Sequence, residues 1–339
     1  MRAKHGHTHT QKKDIQKKMS LEGVSIQNFC IFRMTSITGL SDSDQSPQIS
    51  PIAIRWKERR GRSMSRRKHK HKQMSGRRNI SEKNLRYVRG QLIEGPHASK
   101  VCIGVDSYED DRQIVVKRPQ FAMNAHVEME ALARLQGTDS IVSLLDFFHE
   151  NDTMHLVFNY VPGVDLIDWM QDFHQEKDRT ETEIETEMRP VILQIIKALA
   201  FCHERGIAHR DIKPDNIRIN PETKHVTLID FGLGYIKDMD MDTQERVGSK
   251  DYLPPELRAK GAPVPIDPFK SDVWALGVLI HALVHQQLPF SKGDLKTRTE
   301  PNALFSGPLR ELISSLLTED SKERPDIPRV LGFSFVKEK

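Results

Sequence analysis

The sequence contains little of several features that would restrict its fold or its location. It has three cysteines in 339 residues, Cys30, Cys102 and Cys202, and this odd, widely spaced set argues against a disulfide framework and for a reducing compartment. The longest apolar runs, Val191–Ala200 and Ala275–Val284, reach about half the length of a membrane span. The start of the chain has no apolar signal core. We therefore expect an intracellular protein of the cytoplasm or the nucleus, without a membrane partner.

Acidic residues are scarce in the first 80 residues. This part holds 19 Lys and Arg against 5 Asp and Glu, a net charge of +14, whereas the rest of the chain holds 32 against 42, a net charge of −10. Its apolar residues show little periodicity, so this part cannot bury enough surface to offset the entropy of the chain. We expect residues 1–80 to form a disordered basic arm and residues 85–335 to form the folded domain.

The densest basic block lies at residues 55–78, which contain twelve Lys and Arg and one acid, Glu58. Such a block can be a solvated tail, a nuclear import signal that an import receptor recognises, or a segment that binds polyanions by charge. Trp56 is its only aromatic residue, so the block offers no stacking platform for nucleobases. The sequence leaves these three interpretations open.

From Leu85 onward, the sequence is no longer predominantly basic and contains short β-branched runs, followed by longer segments with helical periodicity. The first part predicts strands at Leu92-Ile93, Val101–Val105, Gln113–Lys117 and His155–Tyr160, with a helix at Val127–Leu135. The part after Gly163 predicts helices at Met188–His203, Ser271–Val284 and Pro308–Leu317. This order of elements indicates an α+β fold.

One segment, His209-Arg210-Asp211-Ile212-Lys213-Pro214-Asp215-Asn216, places a carboxylate, an ammonium and an amide at short offsets. Asp211 can orient a hydroxyl group and take its proton, and Lys213 can neutralise a transferring phosphoryl group. Asn216 can hold a metal ion that bridges phosphates. Downstream, Asp230-Phe231-Gly232 supplies a second metal-binding carboxylate and Pro254-Pro255-Glu256 follows. This spacing indicates phosphoryl transfer.

With these motifs in this order, the chain resembles the eukaryotic protein kinases from about Leu85 to about Phe335. The resemblance implies a two-lobed α+β fold, with a small β-rich lobe at about residues 85–160 and a larger helical lobe at about residues 164–335. It also implies that ATP and Mg²⁺ bind in the crevice between the lobes. Gly248-Ser249-Lys250-Asp251-Tyr252 is similar to the pattern of Ser/Thr-specific kinases, and Leu288-Pro289-Phe290 is similar to the calmodulin-dependent group.

The resemblance assigns the chemistry to a few residues. Asp211 would be the catalytic base, Lys213 the phosphate-neutralising cation, and Asn216 and Asp230 the Mg²⁺ ligands. Lys117, in Val115-Val116-Lys117, would grip the α- and β-phosphates and pair with a glutamate on the helix that follows it in the chain.

Two glutamates compete for the pairing with Lys117. Glu128 shares a helix face with Leu132 and Leu135, so its carboxylate can point into the crevice while the leucines pack on the sheet. Glu130 lacks this arrangement. We therefore choose Glu128.

The resemblance places the other nucleotide contacts along the crevice. Phe158 would lie at the back of the adenine site, Asn159–Val161 would form the hinge, and Asp165 would contact the ribose or a basic residue of the substrate. The nucleotide-binding residues expected in this way are Lys117, Ile93, Val101, Val115, Phe158, Tyr160, Val161 and Asp165. Asp165 and Asp215 flank the crevice, which suits a protein substrate with basic residues near its target Ser or Thr; the alternative is that both are solvated surface acids.

Four residues are expected to regulate the segment from Asp230 to Glu256. By resemblance, Arg210 would pair with a phosphate on this segment, and Ser249 would contact Asp211 and Lys213. Glu245 stands where many relatives carry a phosphorylatable threonine, so its carboxylate can replace the phosphate, and Thr243 is the alternative phosphorylation site.

The chain departs from the family pattern at two places. Glu94, Pro96 and Ser99 occupy the positions of the three glycines in the phosphate loop, so backbone amides approach the phosphates less freely. Arg218 replaces the apolar side chain that relatives usually place beneath the adenine. The sequence predicts a Ser/Thr protein kinase; the alternative is a pseudokinase scaffold that binds nucleotide weakly and docks a polyanion through its basic arm.

Overall fold

The structure is a computed structural model that describes residues 86–93, 100–150, 153–175, 179–258, 266–290 and 299–337. The basic arm at residues 1–80, its block at residues 55–78, and the loop residues Glu94, Pro96 and Ser99 lie outside the described residues. The predictions made for these segments therefore stay predictions.

The N-terminal part of the domain is an antiparallel sheet of five strands in the order β1-β2-β3-β5-β4. The strands are β1 (Tyr87–Ile93), β2 (Lys100–Asp106), β3 (Arg112–Arg118), β4 (Leu144–Glu150) and β5 (Thr153–Asn159). Strand β3 lies between β2 and β5, and four of its seven side chains are buried in a row because both faces are covered. Helix α1 (Ala122–Arg134) packs against this sheet and buries Leu132 in the same core as Val115.

The C-terminal part is mostly helical. Its helices are α2 (Leu166–Gln175), α3 (Glu181–Glu204), α4 (Pro255–Arg258), α5 (Pro268–His285), α6 (Gly307–Leu316), α7 (Ile327–Val330) and α8 (Ser334–Lys337). Its short strands are β6 (Val164–Asp165), β7 (Ile207–Ala208), β8 (Ile217–Ile219), β9 (Val226–Leu228) and β10 (Tyr235–Ile236). The predicted α+β fold with a β-rich lobe and a helical lobe is confirmed.

Helix α3 begins seven residues before the predicted start at Met188. Thr180 accepts a hydrogen bond from the backbone amide of Glu183, and the Glu183 carboxylate accepts one from the Thr180 amide, which forms a complete capping box. The acidic residues after this cap lie in the first turns of the helix, and their charge suits a helix N-terminus. Pro190 lies inside the helix.

Helix α5 is the central element of the helical lobe. Asp267 caps its N-terminus by accepting hydrogen bonds from the amides of Phe269 and Lys270, with Pro268 in the first turn. All residues from Ser271 to Val284 are buried, which matches the predicted helix and explains its nearly continuous apolar sequence. None of the described helices combines the length and the apolar character that crossing a membrane requires.

Two small sheets hold the loops of the crevice in place. Strands β7 and β10 pair with each other, and strand β8 lies between β6 and β9. The loop from residue 209 to residue 216 therefore starts after β7 and ends at β8, while the segment that follows β9 returns to β7 through β10. This topology places the two predicted metal-binding positions side by side, and the amide of Ile229 donates a 3.0 Å hydrogen bond to the carbonyl of Asn216.

Candidate active site

The crevice contains a buried cluster of three charged side chains. The Lys117 Nζ atom on β3 lies 2.7 Å from Glu128 Oε2 on α1 and 2.8 Å from Asp230 Oδ1. The backbone of Gly232 lies close to this cluster, because a Cβ atom on Gly232 would stand 3.1 Å from Asp230 Oδ1. The cluster joins three distant segments of the chain, so it forms only when the sheet, the helix and the loop after β9 are packed together.

Burial and charge act in opposite directions on this cluster. Burial raises the pKa of Glu128 to about 7, although the neighbouring Lys117 counteracts this shift. Burial also opposes ionisation of Asp230, but attraction to Lys117 holds the pKa of this carboxyl below its usual value. For Lys117, the two carboxylates outweigh desolvation and raise its pKa, so the ammonium stays charged. One cation thus serves two carboxylates.

The second candidate partner of Lys117 has a different contact. Glu130 Oε1 accepts a 2.8 Å hydrogen bond from Arg134 Nε, one helical turn further along α1. Its side chain is partly exposed, whereas Glu128 is buried. The structure therefore brings Lys117 together with Glu128 and not with Glu130, as the shared face with Leu132 and Leu135 predicted.

The loop that carries Asp211 is braced from below by helix α5. The Asp272 carboxylate accepts hydrogen bonds from the backbone amides of His209, at 2.7 Å, and Arg210, at 2.8 Å. Arg210 has a left-handed backbone with φ of 65°, and Asp230 has a φ of 63°. Backbone strain of this kind persists where the surrounding contacts determine it and is concentrated at functional sites.

Three predicted residues, Lys213, Asn216 and Ser249, meet around the Asp211 carboxylate. Asp211 Oδ2 accepts a hydrogen bond from Asn216 Nδ2 at 2.8 Å and lies 3.0 Å from Lys213 Nζ. Asp211 Oδ1 accepts a hydrogen bond from the Ser249 amide at 2.9 Å. The Ser249 hydroxyl accepts a 2.7 Å hydrogen bond from Lys213 Nζ. Ser249 thus contacts both predicted partners. Its hydroxyl contacts Lys213, whereas its backbone amide, and not the hydroxyl, contacts Asp211.

Asn216 offers an oxygen that suits a metal ion. Its Nδ2 atom donates to the carbonyl and to the carboxylate of Asp211, which fixes the orientation of the amide. Oδ1 is buried, and no group among the described residues donates a hydrogen bond to it. Buried polar atoms are rarely left in this state unless a ligand or a water completes them. Amide and carboxylate oxygens are ligands that Mg²⁺ accepts, so Asn216 and Asp230 fit the expected pair of ligands.

A cavity between the lobes corresponds to the predicted nucleotide site. Its apolar walls include Val101 and Val115 from the sheet, Phe158 from β5, Val142 and Ile229, and Lys117, Glu128 and Asp230 lie at its inner end. Asn159 and Val161 of the predicted hinge also line it. Arg218 lines the cavity as well, so the set combines a mostly apolar slot that contains one buried cation with a charged inner end, and a nucleotide base and its phosphates require a slot and an end of this kind.

Two of the predicted nucleotide residues, Tyr160 and Asp165, do not line this cavity, and the role expected of Ile93 stays a prediction. Ile93 ends strand β1, and its side chain lies outside the described part of the structure. Tyr160 is partly buried against the core and does not line the cavity, because neighbouring side chains of an extended hinge point in opposite directions. Asp165 is buried and does not line the cavity either, since its carboxylate is bound by Arg218, with Arg218 Nη1 at 2.7 Å.

The segment after Asp230 returns to the loop that carries Asp211, which it contacts at Arg210. Arg210 Nη2 donates a 2.8 Å hydrogen bond to Glu245 Oε2. Thr243 lies nearby, because it lines a second cavity, separate from the nucleotide cavity, together with Arg210 and Glu245. Gly248 has a φ of +112°, and a Cβ atom on it would stand 2.6 Å from the Arg210 carbonyl oxygen, so only glycine allows this close approach of the two backbones. The structure thus brings together Arg210 and Glu245, the two residues expected to regulate this segment.

Sequence reasoning missed two residues that position the site. Asn124 on α1 donates a 2.8 Å hydrogen bond to the carbonyl of Gly232, which ties the helix to the segment carrying Asp230. His209 contacts the carbonyl of Ile229 at 3.0 Å and packs on the buried ring of Phe231. The position of His209 directly before Arg210-Asp211 was the available signal, whereas a single asparagine on a helix gave none.

Comparison with known proteins agrees with this geometry. The family model described as the protein kinase domain matches residues 106–336. Mouse sperm motility kinase Z is 32% identical over 216 residues, covering 61% of this chain and 41% of that protein. The Arabidopsis thaliana Serine/threonine-protein kinase PEPKR2 is 32% identical over 224 residues, covering 62% of this chain and 45% of that protein.

The Arabidopsis CDPK-related kinase 5 is 26% identical over 277 residues, covering 75% of this chain and 44% of that protein. The chain therefore spans less than half the length of each of these three relatives. Because the family model matches more than half of the chain, this protein belongs to the protein kinase family.

Proposed function

We propose that this protein is a Ser/Thr protein kinase that transfers the γ-phosphoryl group of ATP to a protein hydroxyl group. The observation that supports it best is the set of contacts around Asp211, where Lys213, Asn216 and Ser249 hold a single carboxylate. A carboxylate fixed at both oxygens can orient a hydroxyl group with little loss of entropy at the moment of reaction.

In this mechanism, the oxygen of the substrate hydroxyl forms a bond to the γ-phosphorus, and Asp211 accepts the proton of that hydroxyl. The bond between the γ-phosphorus and the oxygen that bridges to the β-phosphate breaks. Lys213 lies 3.0 Å from Asp211, so its ammonium is in place to neutralise charge on the transferring group. Lys117 is held by Glu128 and Asp230 and would grip the other phosphates. Asn216 and Asp230 would hold Mg²⁺, which neutralises phosphate charge when it is bound.

Serine and threonine are the proposed acceptors because the Ser249 hydroxyl binds Lys213, as the Ser/Thr-specific pattern of residues 248–252 implies. The names of the relatives point to the same substrate class, since PEPKR2 is itself described as a serine/threonine-protein kinase. A protein substrate with basic residues near its target remains part of the proposal. Asp215 then serves this purpose better than Asp165, because Asp165 is bound by Arg218.

The second candidate function is a pseudokinase scaffold. It is favoured by one observation in the crevice, the buried Arg218 that lines the nucleotide cavity where an apolar residue is expected. A charged group in this position costs desolvation when a base covers it. The scaffold would bind nucleotide weakly and act through its surface and its basic arm.

A phosphorylation assay with Mg²⁺ and ATP on a library of Ser and Thr peptides separates the two functions. Asp211→Asn should reduce kcat by several orders of magnitude, because positioning and charge neutralisation provide most of the catalysis. Glu222→Gln, an exposed change in the turn between β8 and β9, is the matched control and should keep wild-type activity. If wild type transfers no more phosphate than Asp211→Asn, the scaffold is the correct interpretation.

The basic block at residues 55–78 supports a separate proposal about location. We propose that it directs the protein to the nucleus through an import receptor or binds a polyanion by charge. Deleting residues 55–78 should shift a fluorescent fusion from the nucleus to the cytoplasm. An unchanged distribution, together with unchanged binding to heparin, would identify the block as a solvated tail.

A further inference from the structure

Arg218 is a buried cation in the floor of the nucleotide cavity. Strand β8 turns Ile217 and Ile219 into the core of the helical lobe, so Arg218 between them faces the opposite side, where it lines the cavity. Only 2% of its surface is exposed. A charge with this degree of burial requires fixed partners, and they decide what the guanidinium can offer to a ligand.

The partners of Arg218 belong to the chain that connects the hinge to helix α2. Arg218 Nη1 donates a 2.7 Å hydrogen bond to Asp165 Oδ1, and Nη2 donates to the carbonyl of Gly163. Asp165 and Arg218 are direct neighbours across β6 and β8. The contact is therefore a cross-strand pair between two neighbouring strands.

Gly163 holds the chain between the hinge and helix α2 close to strand β8. Its φ is +113°, and a Cβ atom on it would stand 2.1 Å from the carbonyl oxygen of Ile219. Only glycine can pass this close to strand β8. The connecting chain, the carboxylate of Asp165 and the guanidinium of Arg218 thus form one rigid unit beneath the hinge, which we refer to as the hinge clamp.

The hinge clamp changes which groups can recognise the sugar of a nucleotide. Two carboxylates line the described cavity, Glu128 and Asp230, and both are bound to Lys117 at its inner end. Asp165 is the first acid that follows the hinge in the chain, and Arg218 holds it. Carboxylates are the strongest acceptors for sugar hydroxyl groups, and here each of these three is occupied by a cation of the protein.

We propose that the hinge clamp makes nucleotide binding nearly independent of the ribose 2′-hydroxyl, and that Arg218 is the residue that determines this specificity. This inference rests on the proposed function, because it assumes that the cavity binds ATP. The base then lies against the guanidinium of Arg218 and the apolar walls, in the way that arginine planes stack on bases, and the phosphates reach Lys117. Among the described residues, no carboxylate that lines the cavity is then available to the sugar hydroxyls.

The test compares dissociation constants for ATP and 2′-deoxy-ATP, each with Mg²⁺, measured by calorimetry on the full chain. The wild type should bind the two nucleotides within about twofold of each other. Arg218→Leu releases the Asp165 carboxylate, so this variant should prefer ATP by about tenfold or more, as expected for a hydrogen bond to a charged acceptor. The double variant Arg218→Leu with Asp165→Leu removes the acceptor and should return to a ratio near one.

The double variant also serves as the control for folding, since replacing both members of a buried ion pair by apolar residues preserves stability better than removing one. The matched control for a lost arginine is Arg86→Leu. Arg86 pairs with the buried Asp106 at 2.6 Å, at the end of β2 that is remote from Val101. This variant should keep the wild-type ratio of dissociation constants.

Each outcome has a defined meaning. A wild type that binds ATP at least tenfold more tightly than 2′-deoxy-ATP overturns the hinge-clamp proposal even if Arg218→Leu does not fold. A preference for ATP that is the same in Arg218→Leu and in the double variant overturns it as well. A wild type that binds neither nucleotide overturns both this inference and the proposed kinase function, which distinguishes the two kinds of failure.

Discussion

Replacing Glu245 by alanine tests whether the segment after Asp230 carries its own activating charge. In the structure, Arg210 Nη2 donates a 2.8 Å hydrogen bond to Glu245 Oε2. The Arg210 side chain is 8% exposed and that of Glu245 is 58% exposed. The variant removes the one carboxylate that the structure shows on this guanidinium and leaves a buried cation behind.

The exposure of the two side chains sets the free energy that the hydrogen bond between Arg210 and Glu245 contributes. A hydrogen bond between charged groups contributes about 1.5–3 kcal/mol when it is well formed, but solvent around Glu245 screens it toward the value of an exposed pair. Arg210 Nε is also buried, with no hydrogen-bond partner among the described residues, so the guanidinium depends strongly on Glu245. We therefore use about 1 kcal/mol, which corresponds to a factor of about five in the ratio of ordered to disordered segment.

The assay is phosphate transfer by protein treated with phosphatase. We expect treated wild type to stay active and Glu245→Ala to lose about fivefold in kcat, because the ordered segment places Ser249 on Asp211 and Lys213. Glu245→Gln keeps the size of the side chain but not its charge, and should lose nearly as much. Thr243→Ala is the matched control on the same segment and should keep wild-type activity.

The reasoning is refuted by the opposite pattern. If phosphatase treatment or Thr243→Ala silences the enzyme while Glu245→Ala has no effect, then Thr243 is the phosphorylation site. The ion pair between Arg210 and Glu245 would in that case be a surface contact without a role in activation.

Three further predictions concern other parts of the domain. Burial raises the pKa of Glu128 to about 7, so this side chain loses its charge as the pH falls below that value; kcat/KM for ATP should decrease there, and Glu128→Gln should be low and flat across this range. Arg324→Ala should reduce the free energy of unfolding in urea by about 3–5 kcal/mol, because it removes a fully buried side chain that lies 2.9 Å from Glu256, whereas Glu256→Gln should cost less, because the glutamine oxygen still accepts from Arg324 and the guanidinium keeps its hydrogen bonds to the carbonyls of Thr318 and Glu319. Glu94→Gly combined with Ser99→Gly should lower the KM for ATP by freeing the phosphate loop, and an unchanged or higher KM would show that the loop is adapted to its own residues.

The local pattern was sufficient for most secondary structure. The buried strand His155–Tyr160 corresponds to Thr153–Asn159, and the helix predicted at Ser271–Val284 corresponds to Pro268–His285. The prediction failed at the start of helix α3, because apolar periodicity begins at Met188 while the capping box of Thr180 and Glu183 starts the helix earlier. Caps depend on polar side chains that an apolar pattern does not register.

The candidate site shows where prediction from spacing ends. Asp211, Lys213 and Asn216 lie in one loop, so their proximity follows from the sequence alone. The choice of Glu128 over Glu130 also followed from the sequence, because a helix has a fixed period and only one of the two glutamates shares the face of the leucines. In each case the decisive contacts are local, or are set by the regular geometry of one element.

Arg218 and Asp165 illustrate what only the tertiary structure decided. They are 53 residues apart, and each looked like a separate departure or a separate binding residue in the sequence. The pairing of β6 with β8 makes them neighbours, and burial then forces the two charges to neutralise each other. The sequence by itself determined the candidate catalytic groups and the elements that carry them, because these depend on short offsets and regular periods. The availability of each charged group to a ligand was decided by packing, because it depends on which distant residue reaches that group first.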